Sequence, residues 1–182
     1  MFGAKVFMKF PYLLAMIAWV TLLGGARAAS PSVVLYQANN VLTMRLGDDV
    51  APFAQYIKGL EAAAEPLLNK DKPELFDVFV VIKPGAAGPV QCSRVWVVSN
   101  LSPPPPAEKL KKALEEVVPP EVTDGPVVFA LCFALNGATS RDTKSEAGRP
   151  PLPESWRAYL SQSGQSPDPA TISDALLKNV WP

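Results

Sequence analysis

Residues 75–83 read LFDVFVVIK, and this stretch decides the fold. Its apolar side chains alternate between two faces, with Phe76, Val78, Val80 and Ile82 on one face and Phe79 and Val81 on the other. Because both faces are apolar, the stretch predicts a central strand that is covered on both sides. Residues 84–89, PGAAGP, then predict a turn, and residues 90–99 return as the second strand of a hairpin.

Residues 127–135, VVFALCFAL, predict a third strand with two unequal faces. The large set is Val127, Phe129, Leu131, Phe133 and Leu135, and the smaller set is Val128, Ala130, Cys132 and Ala134. Residues 107–118 predict the helix before this strand, with Leu110 and Leu114 in its buried stripe. We expect the large set to pack under that helix. Residues 50–68 predict a longer helix before the hairpin.

The two ends of the chain add elements to this unit. Residues 29–48 predict an N-terminal β segment, either a hairpin or one bent strand. Residues 138–182 predict a linker and short C-terminal helices near residues 153–162 and 168–181. The predicted fold class is therefore α+β. It is a three-stranded antiparallel sheet, in the order helix, hairpin, helix, strand, with extra N-terminal strands and C-terminal helices covering the second face.

Residues 1–28 have the pattern of a secretory signal peptide. Lys5 and Lys9 precede an uncharged stretch at residues 10–25, and Ala26-Arg27-Ala28 follows it. That stretch is shorter than the roughly 20 residues that a membrane-spanning helix needs. We therefore predict cleavage after Ala28 and a mature protein in the periplasm. The alternative is an uncleaved membrane anchor.

Charge argues against nucleic acid as a partner. The chain has 17 basic and 17 acidic residues, and loss of Lys5, Lys9 and Arg27 with the signal peptide lowers the net charge to −3. An acidic protein lacks the electrostatic footprint that phosphate backbones require. The remaining basic residues are scattered, so we expect membrane contact only through the uncleaved precursor.

The composition also narrows the possible chemistry. The chain has no histidine, which excludes Ser-His-Asp and Cys-His nucleophile systems. Two cysteines alone cannot complete a structural zinc site, and no glycine-rich phosphate loop opens a helix. The carboxylate groupings are interpreted as helix caps and solvated helix faces: Asp48-Asp49, Glu61 with Glu65, and Glu115-Glu116. We predict a non-catalytic protein without a cofactor or a metal.

Two further pairs have structural interpretations. Asp77 is expected to pair with Arg94 across the hairpin. Cys92 and Cys132 are the chain's two cysteines, and an oxidising compartment favours a disulfide between them. A bridge requires their strands to be neighbours, or the cysteines to lie near twisted strand ends, because two strand spacings of about 4.8 Å exceed the usual Cα limit of roughly 7 Å. The alternative is two free thiols that pack as small apolar side chains.

Four local sequences occur in an order known from one protein family. They are FAQYIKGL at residues 53–60, VFVVIKPG at 78–85, LEEVVPP at 114–120 and GPVVFALCFALNG at 125–137. Residues 49–137 thereby resemble the C-terminal domain of TonB-type energy transducers and of the related TolA. The resemblance implies recognition of an extended peptide by strand addition. The anchor and long spacer of those transducers have no counterpart here, so the resemblance concerns the domain and not energy transduction.

The strand at residues 127–135 is the candidate working surface. Because it comes last in the unit and follows a helical crossover, it is expected at the sheet edge. The predicted binding residues are Val127, Val128, Phe129, Ala130 and Leu131. The alternative is that the chain's own residues 33–46 pair there.

The predicted function is that of a periplasmic binding or scaffolding protein, which takes an envelope protein or peptide at a sheet edge. The alternative function, from another class, is an inhibitor or immunity protein that acts on a toxin or a hydrolase.

Overall fold

The fold is described by a computed structural model that covers residues 31–68, 74–84, 92–98, 107–135, 138, 149–167 and 171–181. Its strands are β1 (Ser32–Leu35), β2 (Glu74–Lys83), β3 (Cys92–Val98) and β4 (Val127–Leu135). Its helices are α1 (Asn39–Leu46), α2 (Ala51–Ala64), α3 (Ala107–Glu115), α4 (Glu154–Gln162) and α5 (Asp174–Val180), and a 3₁₀ turn at Glu65–Leu67 follows α2. The α+β class that the sequence predicts is confirmed.

The strands form one antiparallel sheet in the order β1-β4-β2-β3. β2 lies between β3 and β4, as its two apolar faces predict. The sheet therefore contains the three expected strands and one added N-terminal strand. The predicted turn at residues 84–89 lies outside the described residues except for Pro84.

The first face of the sheet is covered by α1, α2 and α3. Leu110 and Leu114 of α3 and Leu60 of α2 are fully buried against the large side chains of β4. Phe129 is in edge-on contact with Phe53 of α2, with ring centroids 5.1 Å apart. This packing confirms the prediction that the large set of β4 lies under the helix of Leu110.

The second face is covered by α4 and α5. Leu176 and Leu177 of α5 and Trp156 of α4 pack in one cluster with the small residues Ala130 and Cys132 of β4. The small side chains leave room for these helices, and the prediction that C-terminal helices cover this face is confirmed. Both faces of the sheet are thus used for the protein's own core.

The N-terminal segment differs from its prediction. Residues 32–35 form the strand β1, but residues 39–46 form the helix α1 and not a second β run. Leu42 of α1 joins the first core, and Arg45 is almost fully buried. Local β propensity is weak compared with the burial that a helix gives these two side chains.

Arg45 joins α1 to α5 and to the start of β4. Its Nη2 lies 2.6 Å from Asp174 Oδ2, and its Nη1 donates to Asp174 Oδ1 at 3.0 Å and to the carbonyl of Pro126 at 2.6 Å. The guanidinium also passes over Gly125, where an added Cβ would come within 2.8 Å of Nη2. Gly125 has a φ of +128°, so both its space and its conformation favour glycine.

The remaining helix bounds are shorter than predicted. α3 ends at Glu115, α4 begins at Glu154, and α5 begins at Asp174 with the Ser173 side chain accepting the N–H of Leu176.

The predicted signal peptide lies outside the described residues, as does most of the linker at residues 138–148. Among the helices that the structure does describe, none has the length and hydropathy needed to cross a bilayer.

Candidate functional site

The predicted binding strand is internal, so its expected position at the edge is wrong. β4 pairs with β2 along its whole length and with β1 from Phe129 to Cys132. All nine of its residues are buried. The alternative pairing with the chain's own N-terminal segment is what the structure shows. Val127, Val128, Phe129, Ala130 and Leu131 thus lie in the middle of the sheet.

Gln37 extends this protection beyond the end of β1. Its side-chain amide donates to the carbonyl of Pro126 at 2.9 Å and accepts the N–H of Val128 at 3.2 Å. The amide takes the place that a further residue of β1 would occupy in the ladder. The flank of β4 at its first residues is therefore closed by a side chain.

β3 is the outer strand on the other side of the sheet. It pairs only with β2 within the described sheet, and only its middle residue, Val95, is buried. The N–H of Val95 points away from β2, because it donates to the Glu115 carboxylate of α3 at 3.1 Å. Backbone groups alternate along an antiparallel strand, so the N–H groups of Ser93 and Val97 point the same way.

We call this outward-facing backbone of Cys92–Val98 the β3 edge. In the described part of the chain, the bond to Glu115 is the one hydrogen bond from a side chain to this edge. Glu115 was expected on a solvated helix face, and it is instead half-buried against β3. Because this carboxylate accepts only the central N–H of the edge, it protects the middle of β3 and leaves the rest of the edge open.

A cluster of aromatic and basic side chains lies on the α5 side of the β3 edge. The Lys83 Nζ lies 4.1 Å from the centroid of Trp181, and the Arg94 Cζ lies 5.6 Å from it. Trp96 contacts the same ring edge-on, with centroids 6.5 Å apart. We call Lys83, Arg94, Trp96 and Trp181 the Trp181 patch. It places two cations on one indole.

The electrostatics of the patch are unfavourable for its lysine. Partial burial and the nearby positive charge of Arg94 both lower the pKa of Lys83, with burial the larger cause. A lowered lysine pKa indicates that the local environment disfavours the charged form. A negative group placed here would reverse that effect.

Two hydroxyls lie on the opposite side of the β3 edge, the α3 side. Tyr56 is 3% exposed, and its hydroxyl and that of Ser93 are both buried. The two hydroxyls interact with each other, but their geometry falls short of a hydrogen bond. Burial raises the pKa of Tyr56 to about 12; Ser93 opposes this shift and the charge of Glu115 adds to it.

Cys92 and Cys132 are not bridged, which corrects the disulfide prediction. Neither forms a disulfide: Cys92 is exposed at the start of β3, and Cys132 is buried on β4. β2 separates their strands, and Cys92 lies opposite Lys83 while Cys132 lies opposite Asp77. Two strand spacings of about 4.8 Å, plus six residues of about 3.4 Å each along β2, place the pair far beyond bridging distance.

The register also separates Asp77 from Arg94. Asp77 lies opposite Val98, whereas Arg94 lies opposite Val81, four residues further along β2. The predicted cross-hairpin pair is therefore wrong, and Arg94 faces Trp181 instead. Asp77 is buried at 2% exposure.

The carboxylate groupings show no convergence on a common centre. Asp49 accepts the N–H of Ala51 at 2.9 Å, but the N-cap of α2 is Val50, without a side-chain cap hydrogen bond, so neither aspartate is the N-cap that the sequence predicts. Across the residues that the structure describes, no group of three or more metal-ligating side chains comes together. The β3 edge and the Trp181 patch are therefore the candidate site.

Sequence reasoning missed three parts of this surface. The sequence assigns Trp181 to the last helix without a role, Lys83 to the end of a strand, and Glu115 to a solvated helix face. The clue for Lys83 and Arg94 was their position on the same side of the hairpin, which depends on its register. No local signal links Trp181 to them, because the contact joins residues far apart in the chain.

The chain has no match among family models, curated proteins or solved structures.

Proposed function

We propose that this protein is an exported, non-catalytic binding protein that takes an extended segment of a partner as an added strand on the β3 edge. The observation that carries the proposal is the position of β3 as an outer strand whose outward N–H groups at Ser93 and Val97 have no bond to another described residue. Strand addition needs such unpaired backbone groups and an extended ligand.

The rest of the sheet supports this choice of edge. Helices cover both faces, so neither face offers a docking surface. The opposite edge strand, β1, has four residues, whereas β3 has seven. A longer edge allows more backbone hydrogen bonds to an added strand. The proposed mode is the one that the resemblance to TonB-type C-terminal domains implies, although on a different strand from the one predicted.

Export is part of the same proposal and rests on the N-terminal pattern. We predict that the mature protein begins at Ala29, because a short uncharged stretch is followed by Ala26-Arg27-Ala28. Mass spectrometry of the protein from the envelope fraction measures this directly. An intact Met1 in the membrane fraction would contradict cleavage and favour an uncleaved anchor.

The binding proposal can be tested from Cys92, an exposed native thiol at the start of β3. A photoreactive group attached to Cys92 of the mature protein is activated in envelope extract, and the adduct is mapped by mass spectrometry. We expect the crosslink to fall within one short segment of one partner. A synthetic peptide of that segment should bind, and its N-methylated version should not.

A matched pair of variants separates the backbone from the side chain. Ser93→Pro removes an outward N–H while leaving the ladder to β2, which a proline at an edge strand permits. Ser93→Ala removes only the hydroxyl. We expect the adduct to be lost in Ser93→Pro and kept in Ser93→Ala. Equal crosslinking in both variants would refute strand addition at β3, and a toxin or hydrolase as the partner would favour the inhibitor interpretation.

A further inference from the structure

We propose that the segment bound at the β3 edge carries an acidic side chain opposite Arg94 and an apolar side chain two residues away, opposite Trp96. The inference rests on the proposed function and adds the chemistry of the partner. It is carried by the Trp181 patch and by the way side chains alternate on an added strand.

The patch holds positive charge that nothing in the described chain neutralises. Lys83 and Arg94 contact the same indole, and neither has a carboxylate partner among the described residues. Both cations lie on a protein whose mature form is predicted to be acidic overall. Two like charges held together attract an anion from a partner.

The position of Arg94 on β3 defines where that anion would lie. On the inner side, β2 places Val81 opposite Arg94 and Phe79 opposite Trp96. An added strand on the outer side would place its own side chains directly opposite, with Cβ atoms about 4.5–5.5 Å apart. A Glu or Asp opposite Arg94 would form a cross-strand ion pair, and an apolar residue opposite Trp96 would pack on the indole.

The α3 side of the β3 edge disfavours the acidic side chain of the added strand. Successive side chains of a strand point to opposite faces, so a shift of one residue would move the acid to the α3 side. There the Glu115 carboxylate sits on the N–H of Val95 and would repel it. The two sides of β3 therefore differ in charge, and this difference selects one register of an alternating peptide.

Glu115 also has to be displaced by any added strand. The N–H of Val95 donates to its carboxylate, and the same N–H would donate to a carbonyl of the incoming strand. Binding therefore exchanges one acceptor for another at the centre of the edge. Replacement of Glu115 by alanine should tighten binding of every strand-adding peptide, whatever its charge.

The test is selection of random heptapeptides, displayed with both ends extended, on the mature full chain. We expect enrichment of an acidic residue two positions from an aromatic or large aliphatic residue. With Arg94→Gln the acidic preference should weaken, since Lys83 remains in the patch, while the apolar preference is unchanged. A selected peptide should bind Arg94→Gln about three- to fivefold more weakly, the size expected of one cross-strand ion pair.

The possible outcomes separate the two proposals. Enriched peptides that lack the acid, or that bind Arg94→Gln unchanged, would overturn this inference and leave strand addition standing. No enrichment, or enrichment that survives Ser93→Pro, would overturn strand addition itself. Binding to vesicles of phosphatidylglycerol tests whether the patch takes an anionic lipid surface instead. Binding to them that needs Arg94 but survives Ser93→Pro would assign the patch to an anionic lipid surface and refute the peptide.

Discussion

β4 and β3 are both strands of this sheet, and they have opposite positions in it. β4 is paired on both sides and all of its residues are buried, whereas β3 is paired on one side and only Val95 is buried. β4 is apolar at every position, while β3 contains Ser93 and Arg94. The last described strand of the chain thus lies inside the sheet, and an earlier one lies at its edge, so the order of strands in the chain does not report their position.

The largest expected difference comes from proline at matched sites on the two strands. Ala130→Pro should unfold the protein, with a loss of about 3 kcal/mol or more, because Ala130 pairs with Val34 on one side and Phe79 on the other. Ser93→Pro should change the free energy of unfolding far less, since its N–H faces outward. Urea denaturation followed by circular dichroism measures both. Similar losses of stability in the two variants would contradict the internal position of β4 and the edge position of β3.

Truncation of one side chain on each strand should repeat the contrast, with a smaller difference between the two strands because the β3 variant also loses stability. Phe129→Ala should lower the free energy of unfolding by about 3–5 kcal/mol, because Phe129 is fully buried between Phe53 and Tyr56. Val98→Ala on β3 should lower it by about 1 kcal/mol, since Val98 is half-buried at the margin of the second core. Equal losses would mean that the margin of the sheet is as well packed as its centre.

The pH dependence of stability tests the buried hydroxyl beside β3. The pKa of Tyr56 is raised to about 12, above its usual value of 10.0. Above pH 10 the unfolded chain ionises and the folded chain does not, so stability present below pH 10 is lost as the pH rises toward 12. The loss attributable to Tyr56 is about 2–3 kcal/mol.

Urea titrations at pH 9 and pH 11.5 measure most of that loss, about 2 kcal/mol at the higher pH. Tyr56→Phe should remove it, and Tyr159→Phe, which alters a half-buried tyrosine of α4, serves as the matched control. An equal response in both variants would show that Tyr56 is not the responsible group. Since the Tyr56 hydroxyl lacks a hydrogen bond, the Phe variant should also be no less stable at pH 7.

The smallest perturbation is chemical labelling of the two thiols, which leaves the fold intact. Cys92 should react with a maleimide in the native protein, and Cys132 should react only after denaturation, because one is exposed and the other is buried on β4. Intact mass spectrometry gives one adduct before denaturation and two after it. Protection of both thiols in the unreduced, denatured protein would restore the disulfide that the register excludes.

Much of the fold follows from local sequence. The bounds of β4 are those predicted, and the large and small sets of its side chains meet the helices expected on each face. These features depend on alternation within one stretch, which the sequence carries in full. The placement of β2 at the centre of the sheet follows from the same reasoning.

The features that sequence reasoning missed depend on distant pairing. β4 is as apolar on both faces as β2, and this pattern indicates an internal strand. Its place as the last strand of the unit indicates a sheet edge instead, and that indication is wrong. The helix α1 is stabilised by Arg45, whose partner Asp174 is 129 residues away. The site is likewise built from Arg94 and Trp181, and no local pattern reports that contact.

The pairing of β1 with β4 has a consequence for how the chain is assembled. β1 comes first among the described strands, yet its partner in the sheet is the last of them. Most of the chain must therefore be synthesised before β1 can enter the sheet, and contacts of such long sequence separation form slowly. The sheet of this protein therefore stays incomplete until its last described strand has been made.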